Sequence, residues 1–273
     1  MKGSPPPLIL VTSDDGIGSL GLRAAVEAVL GLGDVLVVAP DRQWSGGGRS
    51  LPAGMSGVIT EHPMELDGYH VDAFGVDASP ALALIHGLLE LAPRQPALVI
   101  CGINCGENLG TDVTSSGTVG AALQAATHGV PALAISLETA KQAHREQGEG
   151  IDFRAAAHFC RQFAGGILEV ELPFDVDILK VDVPDRATPE TAWRLTRLSR
   201  FQYYESLPPE RVSLADRTSV DYRKKVDPEE AEPDSDIYAL RVDSVVSVTP
   251  LSIDLTSRVD PADLLATLGP AIL

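Results

Sequence analysis

Four short, almost uninterrupted apolar runs decide what this chain can fold into. "LILVT" (8–12), "DVLVVAPD" (34–41), "ALVICG" (97–102) and "PALAISL" (131–137) lack the polar alternation of a strand with one wet face. Between and after them lie stretches with helical spacing: "LRAAVEAVLGL" within 19–32, "SPALALIHGLLELA", "TVGAALQAATHG" and "FRAAAHFCRQFAGGIL". Strands buried on both faces and separated by helices form a parallel sheet covered on each side. With "YHVDAFG" (69–75) and "VDILKVDVP" as further strands, the expected fold class is α/β, a Rossmann-like, doubly wound, mainly parallel sheet.

After about residue 184 the character changes. Residues 185–235 carry many charges and prolines, as in "YYESLPPERVS" and "KKVDPEEAEPDSD", and read as hairpins and loops outside the sheet. "DIYALRVDSVVSVTPL" has the pattern of two antiparallel strands, and "DPADLLATLGPAIL" that of a closing helix. The expected organisation is a catalytic core over 1–184 and a C-terminal β-hairpin and helix extension over 185–273. Such a tail buries little by itself, so it is expected to pack on the core and on a partner subunit.

Composition excludes several classes. With 273 residues, 44% of them hydrophobic, the chain can bury a large core. A formal charge of −17 argues against a nucleic acid polymer as partner. No run approaches the roughly 18–20 apolar residues of a membrane span, and "MKGSPPPLIL" lacks a signal-peptide apolar region, so no membrane association and a cytoplasmic location are expected. Cys101, Cys105 and Cys160 cannot all pair within one chain, which suits a reducing compartment. "CGINC" has no second Cys or His pair to complete a zinc site.

In an open parallel sheet, ligands bind outside the carboxyl ends of the strands. Three strands here run straight into unusual loops: "SDDG", "RQWSGGGRS" and "INCGENLGTDVTSSGT". All three should meet at one edge. Adjacent Asp14 and Asp15 either cap a helix and form a turn, or aim at a divalent cation that relieves their repulsion. Ser45, in a glycine-rich loop, offers a neutral oxygen ligand, and Asn104 a carbonyl oxygen. Ser50 is a candidate phosphate donor. Ser116, Gly117 and Thr118 stand where a helix begins, as N-cap or as an anion site. Asn108 and Asp112 read as turn formers. Two carboxylates, an amide and a hydroxyl suit a hard cation such as Mg²⁺ or Mn²⁺. Such an ion beside a phosphate-binding helix terminus suggests hydrolysis of a phosphate ester, with Asp14 or Asp15 as catalytic carboxylate and Asp14 favoured to take the proton of the attacking water.

"LVTSDDGIGSLGL", "VVAPDRQWSGGGRS", "GINCGENLG" and "SSGTVGAALQAATHGVPALAISL" strongly resemble the SurE family of stationary-phase survival proteins, and "VVSVTPLSIDLT" is similar to that family's C-terminal segment. The resemblance implies a 5′/3′-nucleotidase that dephosphorylates nucleoside monophosphates with one divalent ion per subunit. It also implies a homodimer or homotetramer built through an exchanged C-terminal extension. The family's metal ligands correspond to Asp14, Asp15, Ser45 and Asn104. This chain departs from the family pattern at Ser13 (usually Asn), at Cys105 (commonly Arg) and at "GVDASP" (75–80). The alternative reading is a non-catalytic nucleotide-binding stress or regulatory module. His62, His70, His86, His128, His144 and His158 fall outside the three loops; Trp44 either covers a base or ribose or packs. Tyr203 and Tyr204 are expected at a subunit contact rather than on substrate.

Overall fold

The computed structural model describes residues 5–145, 148–224 and 227–272. In chain order the elements are β1 (Leu8–Thr12), α1 (Leu20–Val29), β2 (Asp34–Pro40), β3 (Ile59–Glu61), β4 (Met64–Leu66), β5 (Tyr69–Val76), α2 (Pro80–His86), β6 (Leu98–Cys105), α3 (Gly117–Thr127) and β7 (Ala132–Leu137). There follow α4 (Arg154–Glu169), β8 (Ile178–Val183), β9 (Trp193–Leu195), β10 (Tyr204–Leu207), β11 (Asp221–Lys224), α5 (Asp236–Arg241), β12 (Val246–Leu251) and α6 (Pro261–Ile272).

The main sheet reads β3-β5-β2-β1-β6-β7-β8-β12-β9, with β4 also paired to β5. Its six central strands, β5 through β8 in that row, are all parallel. They form the doubly wound order, which reverses direction between β1 and β6. That reversal opens a crevice at the carboxyl ends of β1 and β6, which is where the loops beginning at Ser13 and at Gly106 start.

Side-chain alternation explains the layers. Ile9, Val11, Val37, Ile100 and Leu133 face α1 and α4 on one side. Leu10, Val38, Val99 and Ala134 face α2 and α3 on the other. Serine hydroxyls set the starts of three helices: Ser19 accepts from Leu22 N–H, Ser79 from Leu82 N–H and Ser116 from Val119 N–H. In the segment 75–80, Gly75 and Val76 end β5 and Ser79 caps α2, with Pro80 in its first turn; Ser79 also donates to the Ser50 carbonyl at 2.6 Å.

Two expectations about the tail are corrected. Residues 236–251 are not a strand pair: Ser235 caps Tyr238 N–H and starts the short helix α5, and only β12 is extended. β12 buries Val246 and Val248 and enters the main sheet antiparallel to β8, carrying β9 on its outer side. β9 therefore belongs to the sheet that the loops of 185–235 were expected to avoid, whereas β10 and β11 form a separate antiparallel hairpin. Among the described residues no helix is long and apolar enough to cross a membrane.

Candidate active site

β1 ends in a tight turn in which Gly16 N–H donates to the Ser13 carbonyl at 3.1 Å. Ser13, at the family's usual Asn position, accepts from Asp15 N–H at 3.2 Å and so shapes the same turn. Asp14 and Asp15 are left outside the strand end, only 5% and 1% exposed. Thr118 donates its hydroxyl to Asp14 Oδ1 at 2.6 Å. Asp15 is braced on both oxygens, by the Gln43 amide at 2.7 Å and by Cys105 N–H at 3.0 Å. Among the described residues, neither carboxylate has an ion pair with lysine or arginine. Burial, reinforced by the charge of Asp15, pushes the Asp14 carboxyl up to about 7. Burial likewise raises Asp15. Two desolvated like charges without a countercharge are relieved either by a proton on one of them or by a cation between them.

The loop after β2 is anchored over this turn. Trp44 N–H donates to the Asp14 carbonyl at 2.7 Å, and Gly48 N–H to the Ser115 carbonyl at 2.9 Å. Gly48 has φ +53° and lies so close to α3 that a Cβ on Gly120 would sit 2.4 Å from the Gly48 carbonyl oxygen. Ser45 is thereby held at the mouth of the crevice. Gly117 opens α3 toward the carboxylates: a Cβ there would lie 2.7 Å from Asp14 Oδ2. Asn104 donates its amide nitrogen to the Gly106 carbonyl at 2.7 Å, leaving its side-chain oxygen for the crevice.

These elements enclose a cavity of about 680 Å³ whose wall includes Asp14, Ser45, Asn104, Ser116 and Gly117. Asp15 stands behind it. Thr118 is fully buried and acts on the site through Asp14 rather than by lining the cavity. Ser50 lies away from the cavity, with its carbonyl held by Ser79, since the chain beyond Gly48 runs along the flank of α3, where Arg49 binds Gln124 at 2.8 Å. Trp44 does not line the cavity; the Arg42 guanidinium lies over its ring at 5.4 Å.

The same cavity has a second end built from residues with no local signal in the sequence. Tyr204, Tyr222 and His144 line it, which places Tyr204 and His144, a histidine outside the three loops, beside the crevice. Asp112 is more than a turn former: its Oδ2 accepts Tyr203 N–H at 2.8 Å and Tyr204 N–H at 2.6 Å, fastening the tail beside the crevice. Asn108 donates to Ser136 Oγ at 2.8 Å. Buried Glu107 receives the Tyr203 hydroxyl at 2.8 Å and pairs with Lys224 at 2.5 Å, while its Oε2 and His144 Nε2 find no partner among the described residues. Burial lowers the His144 pKa. The β10–β11 hairpin brings Tyr204, Tyr222 and Lys224 to this end.

The donor chemistry at the first end suits a divalent ion. Among the described residues no cluster of three or more His, Cys, Asp and Glu is arranged for a metal, so an ion would rest on two carboxylates supplemented by the Ser45 hydroxyl and the Asn104 carbonyl. This all-oxygen set, around a buried carboxylate pair that lacks a countercharge among the described residues, suits a hard cation.

Comparisons with known proteins identify the family. Residues 9–205 match the family described as Survival protein SurE. The chain is 45% identical over 254 residues to the 5′-nucleotidase SurE of Thermococcus kodakarensis, covering 92% of this chain and 95% of that protein. It is 42% identical to the 5′-nucleotidase SurE of Archaeoglobus fulgidus over 258 residues, 92% of this chain and 94% of the relative. The crystal structure of the SurE protein from Aquifex aeolicus superposes with a TM-score of 0.72 at 29% identity, covering 97% of this chain and 99% of the other. With its doubly wound sheet and its carboxylate pair at the reversal point, the chain belongs to the SurE family.

Proposed function

We propose that this protein is a metal-dependent phosphomonoesterase that hydrolyses nucleoside monophosphates to nucleoside and phosphate, acting on 5′ and also on 3′ esters. The observation that carries this is the buried Asp14–Asp15 pair, without an ion-pairing lysine or arginine among the described residues, at the cavity where α3 begins. The names of the relatives, 5′-nucleotidase in each case, support the substrate class.

Asp14, Asp15, Ser45 and Asn104 would hold one divalent ion, Mg²⁺ or Mn²⁺. When bound, such an ion polarises the phosphoryl group and lowers the pKa of water near it. The chain's own groups do the rest. Ser116, Gly117 and the start of α3 present hydroxyl and backbone donors to the phosphate oxygens, aided by the helix dipole. Asp14, fixed through Oδ1 by Thr118, has Oδ2 at the Gly117 gap to accept a proton from the attacking water. Cys105 replaces a family arginine with a backbone contact to Asp15, so no guanidinium contributes from that position. Homo-oligomer formation through the extension is supported by the exposure of Val212, Leu214, Leu255 and Leu265, and a cytoplasmic location by the three free, buried cysteines.

The test is phosphate release from AMP by purified protein in Mn²⁺, with EDTA removal and metal add-back. Steady release that EDTA abolishes and Mn²⁺ restores is expected, with Asp14→Asn and Asp15→Asn each losing several orders of magnitude. Saturable AMP binding without turnover would make the protein a binding module; wild-type rates in Asp14→Asn would remove the assigned chemistry.

A further inference from the structure

Hydrolysis of a phosphate ester makes no demand on the far end of the cavity. Yet two of the chain's five tyrosines, Tyr204 and Tyr222, line it together with His144. Their rings form one cluster: Tyr204 meets Tyr222 edge-on at 5.2 Å and His144 edge-on at 6.4 Å, while His144 and Tyr222 lie nearly parallel at 6.2 Å. In a chain whose aromatic content is 5%, such a cluster on a cavity wall is a concentrated apolar surface.

The wall is also fixed in place before any ligand arrives. His144 Nδ1 and the Tyr222 hydroxyl are 2.8 Å apart. Lys141 binds the Tyr222 carbonyl and Asp221 at 2.6 Å each, with its ammonium 4.5 Å from the centre of the Tyr222 ring. Asp112 holds the backbone of Tyr204, and Lys224, at the end of β11, pairs with buried Glu107. The His144 carbonyl accepts from the Gln43 amide that also braces Asp15, so the wall is tied to the carboxylate end by one side chain. Rings immobilised in this way lose little entropy when a flat ligand stacks on them.

Resting on the nucleotidase reading above, we propose that Tyr204, Tyr222 and His144 form the nucleobase platform of this enzyme. The β10–β11 hairpin would then be the element that separates nucleotides from base-free phosphate esters. Every base has a π-face, so a platform of this kind selects for the presence of a base more than for its identity. Tyr204 and Tyr222 are specificity residues here, with no part in bond breaking.

The test compares AMP with ribose 5-phosphate, which shares the phosphate and sugar and lacks the base, in wild type, Tyr222→Ala, Tyr204→Ala and the ring-preserving Tyr222→Phe and Tyr204→Trp. Wild type is expected to favour AMP in kcat/KM, and each alanine variant to raise the KM for AMP about 10-fold. The AMP-to-ribose 5-phosphate ratio should fall by a similar factor, with kcat changed less than KM. The ring-preserving variants should recover most of the ratio, which a merely structural role would not give. A ratio near one in wild type, or a ratio unmoved in both alanine variants, overturns the platform. Calorimetric binding of the same two ligands separates the two readings. If wild type turns over neither ester, the hydrolase reading fails, and the platform is then judged on whether Tyr222→Ala weakens AMP binding more than ribose 5-phosphate binding.

Discussion

Gly117→Ala is a one-carbon probe of how Asp14 is placed. The added Cβ would fall 2.7 Å from both Asp14 Cβ and Oδ2 and 3.0 Å from Cγ. Ordinary carbon contacts begin near 3.4 Å, so the two groups must separate by about 0.7 Å. Asp14 cannot simply retreat, because Thr118 holds its Oδ1 and Trp44 N–H holds its carbonyl. Overpacking costs about 1–3 kcal/mol, and replacing glycine in a helix returns up to about 1 kcal/mol, leaving a net loss of about 0–3 kcal/mol. A shift approaching 1 Å in a catalytic group costs about 100-fold in rate. The expected variant is therefore a folded protein with kcat on AMP down about 100-fold and a urea midpoint only slightly lowered. Phosphate release and equilibrium unfolding on the same preparation decide the matter. Activity within threefold of wild type would refute the placement of Asp14 against α3, and a stability loss above about 4 kcal/mol would show that the lost rate reflects unfolding instead.

Thr118→Val keeps the volume and removes only the hydroxyl bond to Asp14; turnover should fall at least about 10-fold, as a hydrogen bond to a charged group is worth about 1.5–3 kcal/mol, read from initial rates at saturating Mn²⁺. Ser45→Ala should raise the Mn²⁺ Kd about 10-fold by calorimetry, with much of the rate recovered at high metal. Lys180 lies between Asp182 and Asp236, all three at most 1% exposed. Lys180→Met leaves two buried carboxylates without their cation and should cost about 3–5 kcal/mol in urea unfolding. Asp182 has its own pH signature. Burial holds its carboxyl at about 6, above the ordinary 3.8. A folded acid with a raised pKa binds its proton more tightly than the unfolded chain does, so its contribution is full below pH 3.8 and lost as pH rises through 6. Urea titrations at about pH 4 and about pH 7 should show wild type losing on the order of 2–3 kcal/mol more than Asp182→Asn across that window.

The parallel core is legible in the sequence because double burial leaves a local mark: runs such as "LILVT" and "ALVICG" have no polar alternation. One end of the site is legible for the same reason. Asp14, Ser45 and Asn104 follow strand ends directly, and the carboxyl-end rule brings such loops together without knowledge of the packing. What escapes the sequence depends on distant partners. Thr118 reads as a phosphate donor until Asp14, 104 positions away, takes its hydroxyl. Tyr204 and Tyr222 sit in a charged, proline-rich stretch, and nothing within ten residues announces that their hairpin folds back across the crevice. β12 is missed as a sheet member because its burial comes from pairing with β8, while "DIYALR" before it follows a serine cap that alternation alone does not reveal.

Asp236 opens a six-residue helix, yet its side chain ties four places together. One oxygen takes Gly110 N–H from the loop after β6 and meets Lys180; the other takes Ser199 N–H and its neighbour Ile237 N–H. A chain cut at 184 would lose this knot, leave Lys180 with Asp182 alone in the dark of β8, and bare that strand's flank to any passing edge. The last third of this molecule thus supplies that one lysine with its second acid and β8 with the strand that covers its edge.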